Sequence, residues 1–466
     1  MEQFKGALRK MEEFDVIVAG AGTGGSVAAY AIAKKGFSVA LLDQKPRSLI
    51  GKKTCGDAMG DHHFKELNEL IGLPEPREDV IQYTVKGLVI YPPNRKNPMD
   101  VSGPGTTGVS FNRHAMGQWL VDLAVSEGVK LFDAVSVQSP IIEGDSVVGI
   151  TYRDKNKEIK KLKGKIVIDA TGVGGVLRRQ VPESFLMDKR FALDETIAAW
   201  REVLETSYTF DRPDMLEIYF DLEHAPGGYA WIFPQGPNRV NAGLGVTAGL
   251  PNVPNVKKKY YDWMMNSFEP LQKKTKVLDA GGGQVPVRRP VDVLVGNGFM
   301  IVGDAASQVN PIHGGGIGPS MYAAALASKA AVSALESNDV SREALWSYPA
   351  EYMRTYGKKQ AGLDIFKWLI IRISNKDIDF AFDKGLIKGS DLLEISLTGK
   401  LQMNLIEKMG RLVSGLGNIS LLRRLKKTTE LMEQIKSLYD NYPSSIDKIP
   451  EWKQKMVPIY KAARNL

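Results

Sequence analysis

The stretch "KKTCGDAMGDHHF", residues 52–64, holds the only cysteine of the chain and two of its five histidines. Both residue types serve as metal ligands and proton carriers, and spacing decides between these uses. His62 and His63 are adjacent, so on a helix their side chains diverge by roughly 100°. One cysteine beside such a pair matches no zinc spacing, and no metal is expected. A thiol ordinarily ionises near pH 8.5, and apolar burial raises that value. Cys55 then stays protonated, either as a proton donor or as a small inert hydrophobe. A single cysteine also excludes an intrachain disulfide framework and fits a reducing interior.

A second set of residues points to a dinucleotide. "VIVAGAGTGGSVAA" sets Gly20, Gly22 and Gly25 in G-x-G-x-x-G spacing, between an apolar strand and an Ala-rich helix. Gly20 permits the tight turn, Gly22 lets the backbone approach a pyrophosphate, and Gly25 lets the helix sit close to the strand. The helix N-terminus offers free N–H groups to phosphate, and Asp43 ends the next strand where an acid meets a ribose hydroxyl. "GPGTTG" (103–108) matches the same spacing but lacks the strand, helix and acid, so it reads as a turn-rich loop.

Two further stretches carry chemistry. In "FMIVGDAASQVNPIHGGGIGPSM" (299–321) an apolar strand delivers Asp304, and Gly314 to Gly316 lead into a helix. Asp304 can accept hydrogen bonds from sugar or ribityl hydroxyls. The helix start can press N–H groups against an electron-rich ring, stabilising negative charge on a reduced flavin. "GGYAWIFP" alternates as a strand, placing Tyr229, Trp231 and Phe233 on one face. That face is either ordinary β-core or an apolar wall for a long hydrocarbon, whose affinity comes from burying CH₂ groups at about 0.8 kcal/mol each.

Taken together, Gly20 to Gly25, Cys55-Gly56-Asp57, "DATG" (169–172), "GGYAWIFPQG" (227–236), "VPVRRP" (285–290) and "GDAASQVNPIHGGGIG" resemble the geranylgeranyl reductases. These belong to the p-hydroxybenzoate-hydroxylase-like FAD superfamily. The glycine and Gly-Asp elements are superfamily-wide, whereas Cys-Gly and Y-x-W-x-F-P are more specific. The likeness runs from about residue 14 to the C-terminus and is strongest to archaeal reductases acting on ether lipids and prenyl diphosphates. It implies FAD, with Gly24 at the pyrophosphate, Asp43 at the adenosine ribose, Ala134 near the adenine, and Asp304, Gly316 and Ile317 at the ribityl and isoalloxazine portions. Gly56 becomes part of a cofactor-facing turn. It also implies that Arg113, at the head of "RHAMGQWLVDLAV", contacts the cofactor; by residue chemistry alone Arg113 is equally a solvated helix-start cation. Tyr229, Trp231, Phe233, Pro234 and His313 would line the substrate pocket. The implied reaction is saturation of isolated carbon–carbon double bonds, with hydride from reduced FAD and a proton from Cys55. The sequence carries no second nucleotide fingerprint, so the electron donor is either NAD(P)H sharing the site transiently or a reduced ferredoxin. Two alternatives remain: an FAD-dependent monooxygenase or epoxidase on an apolar substrate, and a non-catalytic prenyl-binding escort protein.

The elements that must hold these residues come in three textures. Residues 14 to about 50 read strand, turn, helix, strand, and the pattern returns at "KIVIDATG" (165–172) and "FMIVGDAA". Between them lie short β segments such as "YTVKGLVIY", "VVGITYR", "LEIYFD" and "YAWIFP", with helices near 113–127 and 256–267. The expected fold class is α/β (α+β overall): a Rossmann-like FAD-binding domain with an inserted antiparallel β-sheet substrate domain and a C-terminal helical region. The expected FAD domain is discontinuous, over 12–82, 108–182 and 284–342. The β-rich domain takes 83–107 and 183–283, and the helical region 343–466. At 466 residues, more than one domain is the default.

Charge and hydropathy limit the partners. No apolar run approaches the roughly 20 residues that span a bilayer, and "FKWLIIRI" (366–373) is too short. The charged N-terminus lacks a signal-peptide core, and Met11 is an alternative start to Met1. The expected location is cytoplasmic, with peripheral contact at the inner membrane face. The net charge of +8 suits anionic partners, but no basic stripe with interleaved aromatics marks nucleic acid. "SLLRRLKKTTELMEQIKSLY" (420–439) either packs on its own domain or lays an amphipathic face on a membrane.

Overall fold

The computed structural model describes residues 11–251, 253, 255–385, 388–399 and 419–466. Met1, as a candidate start, and residues 386–387 and 400–418 of the helical region lie outside the described residues.

An eight-stranded sheet is built on the strand Glu12–Ala19. Its apolar run VIVA is wholly buried, as a parallel strand covered on both faces must be. Ile159–Asp169 pairs with it on one side and Val39–Leu42 on the other, both parallel. Phe299–Ile301 joins Ile159–Asp169 and Lys130–Phe132 joins Val39–Leu42, again parallel. Segments more than a hundred residues apart in sequence thus become neighbours, and their C-terminal ends collect along one edge. The hairpin Ser136–Glu143 and Ser146–Arg153 is added antiparallel to the outer half of Ile159–Asp169.

Two small-residue helices, Thr23–Ala33 and Ile317–Glu336, pack against each other over this sheet, with Arg113–Ser126 beside the first. Their alanines and glycines let the backbones approach, and both helix N-termini therefore open toward the same strand ends.

A seven-stranded sheet has the order Lys274–Pro286, Thr196–Thr206, Arg239–Thr247, Tyr229–Pro234, Met215–Tyr219, Gly87–Tyr91, Met99–Ser102. Leu204, Ile232, Val240, Ala242, Tyr260 and Trp263 form a separate core beneath one face. The expected helix near 256–267 is Val256–Lys259, a wider π turn over Tyr260–Met264, and Met265–Ser267. "YTVKGLVIY" is not one strand. Ile81–Val85 belongs to a three-stranded sheet with Ala58–Gly60 and Gly108–Phe111, and after Lys86 the chain crosses to the larger sheet as Gly87–Tyr91. At Gly87 a Cβ would stand 2.4 Å from the Val101 carbonyl oxygen, so the crossing needs glycine. "GPGTTG" is a turn, with Gly103 and Gly105 at positive φ.

In the C-terminal region Lys358–Ile370 packs on Ile419–Asp440, and Ile449–Ala463 closes the layer. The end of Lys358–Ile370 carries "FKWLI", of which Phe366, Lys367, Trp368 and Leu369 are buried. Leu421, Leu425, Leu431, Met432 and Ile435 are buried too, so the apolar face of the basic helix rests on its own domain. Among the described residues, no helix is long and apolar enough to cross a membrane.

Candidate active site

A cavity of about 510 Å³ lies between the parallel strand ends and the open face of the seven-stranded sheet. Gly22 to Gly25 and Arg113 line one end, Lys53 to Gly56 its side, Tyr229, Trp231 and Phe233 the facing wall, and Asp304, His313, Gly316 and Ile317 its floor.

The glycine turn is held by close contacts. Gly20 has φ +109°, and a Cβ there would lie 2.3 Å from the Ala170 carbonyl oxygen. At Gly25 a Cβ would lie 1.9 Å from the Gly20 carbonyl oxygen, so the helix can meet the strand only without a side chain. A Cβ at Gly22 would meet nothing within 4 Å among the described residues, because that face opens into the cavity. Asp43 fixes the turn from the next strand: its Oδ2 accepts from Ala21 N at 2.9 Å and its Oδ1 from Lys45 N at 2.8 Å. Gly20, Asp43 and Ala134 do not line the cavity. Ala134 stands close to Asp43, at φ 53°, with its N–H donating to the Lys45 carbonyl.

Arg113 is 8% exposed. Its Nη2 donates to Thr23 Oγ1 at 2.9 Å, while Nε and Nη1 are buried with no hydrogen-bond partner among the described residues. Such a guanidinium is costly without an acceptor, and the glycine cradle is where an anionic acceptor would lie. Lys45, Lys52 and Lys53 also line this end. The Lys53 ammonium pairs with Asp304 at 2.7 Å. The 20-residue helix Ile317–Glu336 starts at the cavity floor, with Gly316 as its N-cap.

Tyr229, Trp231 and Phe233 share one face, with successive ring centroids 6.1 and 6.2 Å apart. Pro234 is not part of that wall. It falls on the opposite strand face with Ala230 and Ile232, as period-two alternation requires. Tyr229 Oη donates to the His313 carbonyl at 2.7 Å, tying the wall to the floor. Phe233 closes on the cysteine loop, where a Cβ at Gly56 would stand 2.9 Å from its ring.

Three groups around the aromatic wall, His313, Cys55 and Tyr229, are held neutral. Cavity solvent reaches His313 and Cys55, yet protein surrounds both. Burial, with Lys359 adding to it, pushes the His313 ring down to about 4, and its Nδ1 accepts from Gly315 N at 3.1 Å. Burial first, then the Asp57 carboxylate, pushes the Cys55 thiol up to about 11. Cys55 Sγ accepts from Asp57 N at 3.3 Å. Burial likewise raises the Tyr229 phenol. The cavity thus offers a protonated thiol facing an aromatic wall, with its charged groups gathered toward the glycine cradle and Asp304. His62 and His63 lie on the helix His62–Ile71 with their ring centroids 4.1 Å apart, and neither lines the cavity. Among the described residues, no group of three or more His, Cys, Asp or Glu is placed to hold a metal ion.

Behind the loop stand two residues to which the sequence reading gave no site role, Asp57 and Asn241. Asn241 Nδ2 donates to Asp57 Oδ2 and to the Cys55 carbonyl, each at 2.8 Å, and Trp231 Nε1 donates to Asn241 Oδ1 at 3.0 Å. The available signal was a lone amide inside the apolar run "RVNAGLGVT".

Residues 195–285 match the model of the geranylgeranyl reductase catalytic domain, and residues 15–191 match that of the FAD dependent oxidoreductases. The chain is 36% identical to the digeranylgeranylglycerophospholipid reductase of Sulfolobus acidocaldarius, over 95% of this chain and 96% of that one. It is 29% identical to digeranylgeranylglycerophospholipid reductase 2 of Methanopyrus kandleri, over 82% and 95% of the two chains. Its fold is shared with a geranylgeranyl bacteriochlorophyll reductase-like protein of Thermoplasma acidophilum, with a TM-score of 0.74 at 24% identity over 90% and 100% of the chains.

Proposed function

The chain belongs to the digeranylgeranylglycerophospholipid reductase family, and on that ground we propose that it saturates the isolated double bonds of geranylgeranyl chains on an archaeal-type ether-lipid precursor or prenyl diphosphate. It is an FAD-dependent oxidoreductase. The residues present fit that cofactor. The open backbone at Gly22 and the unsatisfied Arg113 nitrogens suit its pyrophosphate, with Gly24 and the cavity lysines beside them. Asp304, Gly316 and Ile317 suit its ribityl and ring portions, and Asp43 and Ala134 its adenosine end. Bound and reduced, FAD supplies the hydride for one carbon of the alkene.

The chain's own residues do the rest. Tyr229, Trp231 and Phe233 hold the hydrocarbon by burying it and exclude water. Cys55 holds the proton for the other carbon on Sγ, in a site where burial keeps the thiol protonated. No carbonyl polarises an isoprenoid alkene, so a positioned acid matters more here than in enone reduction. His313 and the Tyr229 hydroxyl shape the floor and stay neutral. Electrons come from NAD(P)H or a reduced ferredoxin, donors compatible with a chain that carries one dinucleotide fingerprint.

The observation that carries this reading is the position of the Cys55 thiol between the glycine cradle and the aromatic wall. Mass spectrometry of a geranylgeranyl glycerolipid incubated with dithionite-reduced enzyme tests it. The expected product gains two hydrogens per bond as the flavin reoxidises. Oxygen incorporation, or an unchanged lipid beside a redox-active flavin, overturns it.

A further inference from the structure

Asp57 and Asn241 are more buried and better connected than packing requires. Asn241 is fully buried in the middle of the apolar strand Arg239–Thr247, and Asp57 is 5% exposed. An amide and a carboxylate in such places cost free energy unless hydrogen-bonded. Three strands clamp the loop that carries Asp57. Asn241 bonds Asp57 and the Cys55 carbonyl, Trp231 bonds Asn241, and Phe111 N donates to the Asp57 carbonyl at 2.9 Å. Asp57 itself sits at φ 57°, a conformation that turns its N–H back toward the Cys55 Sγ.

One feature of this network is incomplete. Asp57 Oδ1 is buried and has no hydrogen-bond partner among the described residues. The Cys55 thiol is held beside the same residue, its Sγ accepting from Asp57 N at 3.3 Å, close enough for the carboxylate to act on it. A carboxylate oxygen so placed is favoured as O–H over O⁻.

We infer that Asp57 returns a proton to Cys55 after each double bond is saturated, and that Asn241 holds Asp57 in place for the transfer. The inference rests on the reading of Cys55 as donor. When Cys55 protonates the alkene, its S–H bond breaks, a C–H bond forms, and the electron pair stays on sulfur. The Asp57 O–H then breaks, its proton restores the thiol, and a carboxylate remains. That carboxylate takes a proton from water when the product leaves. No electrons pass through either residue; the hydride is that of the reductase reaction.

Electrostatics favour this order. A thiolate beside a carboxylate in a low-dielectric pocket is two like charges in contact, and one shared proton removes the conflict. The charged groups facing Asp57 are Arg201 from the strand Thr196–Thr206 and Arg113 from its helix, with Lys53 reaching Cys55. Both guanidiniums favour the carboxylate, but burial outweighs them and pushes Asp57 up to about 6. The acid form is therefore within reach near neutral pH.

The test uses FAD-loaded full-length enzyme with excess dithionite and a geranylgeranyl glycerolipid, comparing wild type, Asp57→Asn, Asn241→Asp and Cys55→Ala across pH. Wild-type turnover should fall as pH rises through about 6. Asp57→Asn should turn over at least about tenfold more slowly and lose that pH dependence. In Asn241→Asp a second carboxylate beside Asp57 should move the limb to higher pH. Flavin absorbance and melting temperature verify that each variant is folded and loaded. If Asp57→Asn fails to load, the displacement of the limb in Asn241→Asp decides alone. Wild-type rate and pH profile in Asp57→Asn, or an unmoved limb in Asn241→Asp, overturn the inference while Cys55→Ala remains inactive. Undiminished saturation by Cys55→Ala instead overturns the donor role beneath it.

Discussion

Cys55 is set apart from the other candidate side chains by what surrounds it. Its thiol keeps its proton to about pH 11, so it stays a competent donor through the neutral range and no alkaline loss of activity near neutrality should trace to it. Cys55→Ala should keep its flavin spectrum, because the cradle lies elsewhere, and lose saturation by about 100-fold or more, the usual worth of a positioned acid. Single-turnover mass spectrometry beside the absorbance spectrum measures both. Asp57 gives a separate, stability-based expectation. Its folded-state pKa of about 6 stands above the ordinary 3.8, so the folded protein binds a proton more tightly than the unfolded chain. Stability from this group is full below the unfolded value and declines as pH rises through the folded one. Above that window the buried charge costs about 3 kcal/mol. The melting temperature of Asp57→Asn relative to wild type should therefore rise between about pH 4 and pH 6 and level off above. A difference that is flat with pH would show that Asp57 titrates normally. The cysteine was visible in the sequence because it stands alone in an unusual motif. Asn241 was not, since its partners Trp231, Cys55 and Asp57 come from other parts of the chain.

The glycine turn and the aromatic strand were legible for a different reason: local spacing alone specifies them. Period two put Tyr229, Trp231 and Phe233 on one face, and the same rule removes Pro234 from it. A motif read as a block of letters includes the proline; a strand read as geometry does not. The G-x-G-x-x-G run was legible because each glycine answers a steric demand. Gly25→Ala should make that demand measurable. Its methyl would press on the backbone of Gly20, where no side chain can yield. The expected cost is about 3 kcal/mol, the upper end for overpacking, with most bound flavin lost on purification. Flavin-to-protein absorbance and a thermal melt check both parts, and full flavin loading would refute the close-contact account. The crossing at Lys86 was not legible. "YTVKGLVIY" has an unbroken strand composition, and only the approach of Val101 to Gly87 shows why it divides between two sheets.

Across the whole molecule, the return of the strand–turn pattern at 165–172 and 299–306 could be read from hydropathy because parallel strands covered on both faces carry unbroken apolar runs. The surface was harder to read, since charge without three-dimensional placement does not distinguish a patch from a solvated exterior. Arg372, Arg423, Arg424 and Lys427 line one open cleft of about 670 Å³ beside Asn465 and Leu466. Burial and the neighbouring Arg464 and Arg424 guanidiniums hold Arg372 below its ordinary range, the sign of cations crowded together. Lys427 has Glu430 at 3.4 Å as partial compensation. With the apolar side of Ile419–Asp440 packed inward, such a cleft would meet a bilayer by charge, not by insertion. Each cation near an anionic surface contributes about 1 kcal/mol, and that attraction fades within a Debye length of about 10 Å at 0.1 M salt. The protein should therefore co-sediment with anionic vesicles at low salt, release at high salt, and ignore neutral vesicles. Arg423→Gln combined with Arg424→Gln should weaken that binding roughly 30-fold and leave saturation of detergent-solubilised lipid intact. Equal binding to neutral vesicles, or binding indifferent to salt, would assign the contact to apolar insertion and remove the cleft from it.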